Sequence, residues 1–267
     1  MIKIKSIKEK LIPSKKKKKI VKKDKKTDNS SKKNSVLSAK SKDIEKKIPS
    51  LEEMLKAGVH FGHRTSKWNS RMKEYIYTTR NNVHIIDLEQ VYNKLKKALI
   101  FLQDIKKKNG TIILVGTKIA VKEIAKETAE ESKVFYITER WIGGTLTNFP
   151  VISDRLKHFR NLEEKKKTGE LKKYVKKEQH DFDVELQKLE RRFGGIKNMV
   201  KLPDALLIID THKEKLAVKE ARMKNIPIIG VCDTNADPTI IDYPIPMNDD
   251  SISSLRLILG TIAKVLK

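Results

Sequence analysis

The stretch ALLIIDTHKEKLAVKEARMKNIPIIGVCDTNADP, residues 205–238, decides the fold. It holds two short apolar runs, Ala205–Ile209 and Ile226–Val231. Neither alternates with polar residues, so both read as strands covered on two faces, the condition of a strand inside a parallel sheet. Glu214–Lys224 between them reads as the crossover helix that parallel neighbours require. Working upstream, Val134–Ile137 is another strand, Ala120–Ser132 a helix, and Thr111–Val115 an apolar run after Asn109-Gly110. Downstream come a short last strand, Tyr243–Ile245, and a closing helix, Ser251–Leu266. Strands alternating with helices predict a three-layer α/β domain around a mainly parallel, flavodoxin- or Rossmann-like sheet.

Further upstream the signals change. Leu88, Val91, Leu95, Leu99 and Leu102 recur at helical spacing, predicting a helix over 88–107. Residues 75–77 and 83–86 read as short strands around the turn-like Arg80-Asn81-Asn82. Ser50-Leu51-Glu52-Glu53 is a capping box opening a helix through Lys56, which Gly58 ends. One stretch breaks the βα rhythm: Ser153–Arg192 carries no strand signal and reads as helix, turn at Gly169, helix. Its apolar stripes are thin (Leu156, Phe159 and Leu162, then Val175, Phe182, Leu186 and Leu189), and 13 basic and 9 acidic residues fill Asp154–Arg192. That predicts an inserted helical hairpin, about 153–193, projecting from the sheet domain, with two ordinary covering helices as the alternative.

The charge has a location. Of the net +25, residues 1–49 hold 19 lysines, no arginine and 5 acidic residues, an excess of +14. Runs such as Lys15–Lys19 and the polar Thr27–Ser35 offer too little apolar surface to offset chain entropy. Residues 1–49 are therefore expected to be a disordered extension, with Ile2, Ile4, Ile7, Leu11 and Ile12 giving at most a transient turn or two, and residues 50–267 the folded domain. The domain itself keeps an excess of +11, and a basic surface attracts polyanions by counterion release. The one cysteine, Cys232, allows no internal disulfide, which fits a reducing compartment. No apolar run approaches the roughly 18 residues of a membrane span, and the N-terminus lacks a signal-peptide core. The expected location is cytoplasmic.

Common catalytic fingerprints are absent: no G-x-G-x-x-G, no phosphate-loop motif, no H-E-x-x-H and no G-x-S-x-G. The most enzyme-like feature is the run of aspartates after the last strands: Asp210, Asp233, Asp237, Asp242, Asp249 and Asp250. Strand carboxyl ends are where α/β enzymes place catalytic groups, so a metal- or nucleotide-dependent enzyme is the alternative reading. Turn and N-cap roles explain the same residues better: Asp237 precedes Pro238, and Asp249-Asp250 precede the last helix. His60 and His63, with His84 or Cys232, do not amount to a metal site. No cofactor and no metal are expected.

Two segments differ in kind. Residues 60–82 interleave cations, amides and aromatics: Arg64, Lys67, Trp68, Asn69, Arg71, Lys73, Arg80 and Asn81. Arginine and lysine suit phosphate, asparagine suits base edges or sugar, and tryptophan can stack. The second segment is Arg140–Asn148, where Gly143-Gly144 permits close backbone approach and Thr145, Thr147 and Asn148 supply polar contacts. Core packing is the competing role for both aromatics, Trp68 and Trp141.

These blocks carry a resemblance. Leu55–His63 with Trp68-Asn69 and Met72-Lys73, then Asn82–Leu88, then Arg140–Asn148, resemble the small-subunit ribosomal protein two family of bacterial type. So do Phe193–Lys197 with Leu202–Ala205, and Ile226–Pro238 with Ile241–Pro246 and Asn248–Asp250. The resemblance covers about residues 50–267 in order. It implies a three-layer α/β domain with a projecting coiled-coil hairpin, and a non-catalytic constituent of the small ribosomal subunit. As partners it implies small-subunit rRNA and neighbouring ribosomal proteins, including the multi-repeat ribosomal protein one. The lysine-rich residues 1–49 lie outside the family pattern, and Ala236 stands where many members carry cysteine.

Overall fold

The structure is a computed structural model and describes residues 43–267. The first 42 residues of the expected extension, with the turn proposed at Ile2–Ile12, lie outside the described residues. The first buried side chains come earlier than Ser50: Ile44 is fully buried and Ile48 nearly so. Both are apolar residues at helical spacing in a polar setting, too sparse a signal to read as core without their partners.

Ser50 caps helix α1, Leu51–Lys56, in the expected box: its hydroxyl accepts from the Glu53 N–H at 3.2 Å, and the Glu53 carboxylate accepts from the Ser50 N–H at 2.8 Å. Gly58 then takes a left-handed φ of 75° to turn the chain. Strands β1 (Phe61–Arg64), β2 (Ile76–Arg80) and β3 (Val83–Ile86) form an antiparallel sheet in the order β1-β3-β2. β1 had no sequence signature, because Phe61-Gly62-His63-Arg64 has neither alternation nor β-branched residues. Asn81 and Asn82 make the β2–β3 turn at φ 49° and 60°. Two left-handed residues in a two-residue loop match the twist of a hairpin, and asparagine tolerates that conformation.

The rest is the βα alternation: α2 (Leu88–Lys107), β4 (Ile112–Val115), α3 (Ile119–Ser132), β5 (Phe135–Ile137), α4 (Phe149–Thr168), α5 (Lys176–Phe193), β6 (Ala205–Ile208), α6 (Lys215–Met223), β7 (Ile228–Cys232), β8 (Tyr243–Pro246) and α7 (Ile252–Leu266). The second sheet is wholly parallel, in the order β5-β4-β6-β7-β8. Side chains alternate across it. Ile112, Leu114, Leu207, Ile229, Val231 and Ile245 pack with α1, α2, α3 and α7. Ile113, Val115, Leu206, Ile208, Ile228 and Cys232 pack with α4, α5 and α6. The sheet is thus covered on both faces, as its unbroken apolar runs require.

The two expected insertion helices are present as α4 and α5, joined through Gly169 at φ 78° and a 3-10 turn, Glu170–Lys173. Phe159, Leu156, Leu186, Leu189 and Phe193 share the second core with the sheet strands, so the inner part of the pair is a covering layer and not a free-standing arm. A hydrogen bond between His158 Nε2 and Glu185 Oε1 (3.0 Å) and an ion pair Lys166–Asp183 (2.7 Å) also link the two helices. The 3-10 turn Gly194–Ile196 lies along edge strand β5, where a Cβ on Gly195 would collide with the Tyr136 carbonyl. That approach covers a sheet edge open to pairing with another chain.

Candidate nucleic-acid interface

All loops that follow the parallel strands gather at one sheet edge, and both polar sequence blocks are fastened there. The first block is pinned to the loop after β7. Gly62 lies so close to Thr234 that a Cβ would sit 2.5 Å from its methyl. The His63 N–H donates to Thr234 Oγ1 at 2.8 Å, and the Asn69 N–H donates to the Thr234 carbonyl at 2.8 Å. Asn69 Oδ1 accepts from the Arg71 N–H at 3.0 Å, capping the 3-10 turn Ser70–Tyr75. Arg71, though exposed, is tied to the protein, pairing with Asp237 and donating to Thr239 Oγ1 at 3.2 Å. Asn69 and Arg71 thus shape the block. The remaining cations Arg64, Lys67, Lys73 and Arg80 are exposed and have no carboxylate partner among the described residues; Asn81 is exposed beside them. Trp68 is 41% exposed, its ring 5.2 Å from that of His84, so it is partly packed and partly presented.

The second block, residues 140–148, is organised by a residue the sequence reading missed. Glu220 of α6 is 3% exposed. Its carboxylate accepts from Trp141 Nε1 (3.1 Å), the Gly144 N–H (2.8 Å), the Leu146 N–H (3.0 Å), and the N–H and hydroxyl of Thr147 (3.1 Å each). Burial opposes its charge, but these donors outweigh burial and hold the Glu220 carboxyl below the ordinary glutamate value. Gly144, at φ 91°, supplies the backbone that aims its N–H inward. Trp141 is buried, as its competing core role requires. Thr145 is a correction: it is 1% exposed and its hydroxyl donates to the Ile142 carbonyl at 2.6 Å, so it belongs to the loop's interior. Thr147 is exposed but its hydroxyl is spent on Glu220, whereas Asn148 is exposed and makes no side-chain capping bond to α4.

The strand order reverses between β4 and β6, the place where open α/β sheets hold ligands. Here that crevice is bridged by the chain itself. Thr117 donates to Glu214, and Lys213 Nζ donates to the Thr117 carbonyl at 3.2 Å. Lys118 Nζ lies 2.8 Å from Asp249 and 3.7 Å from Asp210 and also pairs with Asp250. Burial disfavours the ammonium, but the bonds to Asp249 and Asp250 prevail and raise its pKa.

The aspartates divide by role. Asp210 Oδ1 accepts from the Lys213 N–H (2.9 Å) and Asp237 from the Thr239 N–H (3.0 Å), both turn or cap bonds, whereas Asp242 accepts from the Ile228 N–H (2.9 Å) at the start of β7 and so ties two segments together. Asp249 and Asp250 depart from the expected cap role: Ser251 caps α7, and Asp249 points into the sheet edge with Oδ2 lacking a hydrogen-bond donor. Burial beside Asp210 and Asp233 pushes the Asp249 carboxyl up to about 7. His63 Nδ1 sits 2.9 Å from Asp233 Oδ2 without hydrogen-bond alignment, and the neighbouring Asp233 carboxylate raises its pKa. His63, Asp233, Asp249 and Asp250 bring one ligand atom each within 4.8 Å of one another, a donor set that suits a divalent cation. His84 and Cys232 are not part of it: His84 bonds Thr79 at 3.1 Å, and Cys232 is fully buried beside Thr211, its thiol pushed up to about 12 by burial.

The switch-point crevice is thus bridged by the chain's own side chains, and exposed cations without carboxylate partners among the described residues lie on the first block. The sequence model of the Ribosomal protein S2 family matches residues 54–267, and the chain belongs to that family. It is therefore a structural component of the small ribosomal subunit and not an enzyme. No helix among the described residues is long and apolar enough to cross a membrane.

Proposed function

We propose that the chain binds small-subunit rRNA through the strand-end edge and helps hold neighbouring ribosomal proteins in place during assembly and translation. Arg64, Lys67, Lys73 and Arg80 engage phosphates, Trp68 offers a partly exposed ring for stacking, and Asn81 and Asn148 reach sugar or base edges. Arg71, Asn69 and Thr147 act indirectly, by holding the loops that carry these groups. The far part of the α4–α5 pair, rich in lysine from Lys165 to Lys177, extends this contact surface as the coiled-coil arm of the family pattern. Neighbouring proteins include the multi-repeat ribosomal protein one, and the residues 1–42 add sequence-independent affinity for RNA.

The observation that carries this reading is the set of outward cations without carboxylate partners on loops fixed by buried hydrogen bonds. Preorganised cations bind phosphate with little ordering cost. The test is binding of the full chain, and of a chain starting at Asp43, to small-subunit rRNA across salt concentrations. Log affinity is expected to fall linearly with log salt, and the shorter chain to keep its preference for rRNA over unrelated RNA. A flat salt response, or loss of that preference with the first 42 residues, refutes it.

A further inference from the structure

Helix α6 has two working faces, and only the inner one, with Glu220, is used by the fold. Its outer face carries Lys215, Lys219, Arg222 and Met223, while Leu216 turns toward Gly143 of the 140–148 loop. Leu216 is 48% exposed and Met223 61%, and Ile240 from the loop after β7 is 37% exposed nearby. Together Val218, Met223, Ile240 and the stems of Lys215, Lys219 and Arg222 line a shallow groove of about 500 Å³. Its floor is apolar and its rim is cationic. Lys215 and Lys219 have no carboxylate partner among the described residues, while Arg222 is partly committed to Asp242 at 3.3 Å.

We propose that this groove docks an acidic amphipathic helix of a neighbouring protein on the small subunit, an inference that rests on the ribosomal reading above. The chemistry selects among occupants. An apolar floor gives phosphate nothing to bind, so RNA would use the rim and leave Met223 and Ile240 wet. Residues 1–49, with 19 lysines against 5 acids, are repelled by the rim. A second copy meeting the groove face to face would set lysine against lysine, since a two-fold contact pairs like with like. A helix with leucine-like residues at i, i+3 or i+4 and i+7 fits the apolar floor of Val218, Met223 and Ile240, and flanking carboxylates would pair with Lys215 and Lys219.

The experiment places a photo-crosslinking benzophenone amino acid at position 223 of the full chain made in cells. Lysate is fractionated by sedimentation, and crosslinked peptides are sequenced by mass spectrometry from whichever fraction holds the chain. The expected crosslink joins position 223 to a protein segment with apolar residues at helical spacing among Asp and Glu. Its yield should fall about tenfold in a Lys215→Glu/Lys219→Glu background, because the rim attraction becomes repulsion. A crosslink to rRNA, to a second copy, to residues 1–42, or to a segment lacking that pattern overturns the proposal. So does no crosslink at all, or a yield unchanged by the charge reversal. Sedimentation is scored separately: a chain on small subunits with no such crosslink refutes the groove alone, and a chain absent from small subunits refutes the ribosomal reading.

Discussion

Replacing Glu220 should unfasten the 140–148 loop. The perturbation of choice is Glu220→Gln, which preserves length and shape but exchanges one carboxylate oxygen for an NH2 group. Both oxygens receive donors: Trp141 and Gly144 on Oε1, Leu146 and Thr147 on Oε2. A glutamine therefore sets donor against donor on one side and offers a weaker, neutral acceptor on the other. Hydrogen bonds to a charged group contribute about 1.5–3 kcal/mol each, and these are not additive because they share one carboxylate. Every donor is neutral, so the substitution leaves no unpaired charge, and the expected loss is that of charge-assisted bonds with one donor left unsatisfied, about 1.5–3 kcal/mol. For a domain of this size it corresponds to a fall in Tm of roughly 3–12 °C, at about 2–4 °C per kcal/mol. Thermal denaturation by circular dichroism reads the stability, and amide exchange at Gly144, Leu146 and Thr147 locates it. The pH sense follows from the lowered carboxyl: the contribution is complete above the ordinary glutamate pKa and is lost as pH falls through the lower folded value. A loss below about 1 kcal/mol, with exchange at those amides unchanged, would refute the role given to Glu220.

Other outcomes follow from the same geometry. Asp249 has its folded pKa raised from 3.8 to about 7, so the folded state binds a proton more tightly and the protein should lose stability as pH rises from about 4 to 7, by at most about 4 kcal/mol. With chelator present, Asp249→Asn should flatten that dependence in pH-resolved denaturation and raise Tm at pH 8; equal pH curves for both chains would contradict it. Arg64→Ala and Arg80→Ala should each lower the slope of log affinity against log salt by about 1 while leaving Tm unchanged, as expected of a lost phosphate contact. Ser50→Ala, which removes the α1 cap, should cost about 1 kcal/mol in denaturant unfolding. Gly195→Val forces the 3-10 turn away from Tyr136 and should expose strand β5, giving a lower Tm and faster aggregation on heating.

The parallel sheet was legible because each of its inner strands is an unbroken apolar run between helical segments, and a local pattern of that kind follows from burial on both sides. Strand boundaries shifted by a residue or two, as at Ile228–Cys232 against the expected Ile226–Val231, because pairing and not composition ends a strand. Strand β1 was invisible: Phe61–Arg64 is held by pairing with β3 and by the contact of Gly62 with Thr234, neither of which leaves a periodic trace. The same limit applies to the insertion. Its two helices were plain from spacing, but whether their apolar stripes meet each other or the sheet depends on where the sheet lies.

The candidate interface divided in the same way. Sequence alone picked the segments 60–82 and 140–148, since interleaved cations, amides and aromatics are a matter of residue type. It could not separate groups that face outward from groups that serve the loop. Arg64 and Arg71 are the same residue type a few positions apart, yet one is exposed without a partner and the other is tied to Asp237. Glu220 looked like any charged residue in an amphipathic helix, and Lys118 like any lysine at a helix start. Residue type and period determined the layers, the basic balance and the polar blocks, because those depend on neighbours in the chain. Which carboxylate anchors a loop, which aspartate is buried and which cation is left without a carboxylate partner was decided only by the tertiary structure, because each depends on partners brought from distant parts of the sequence.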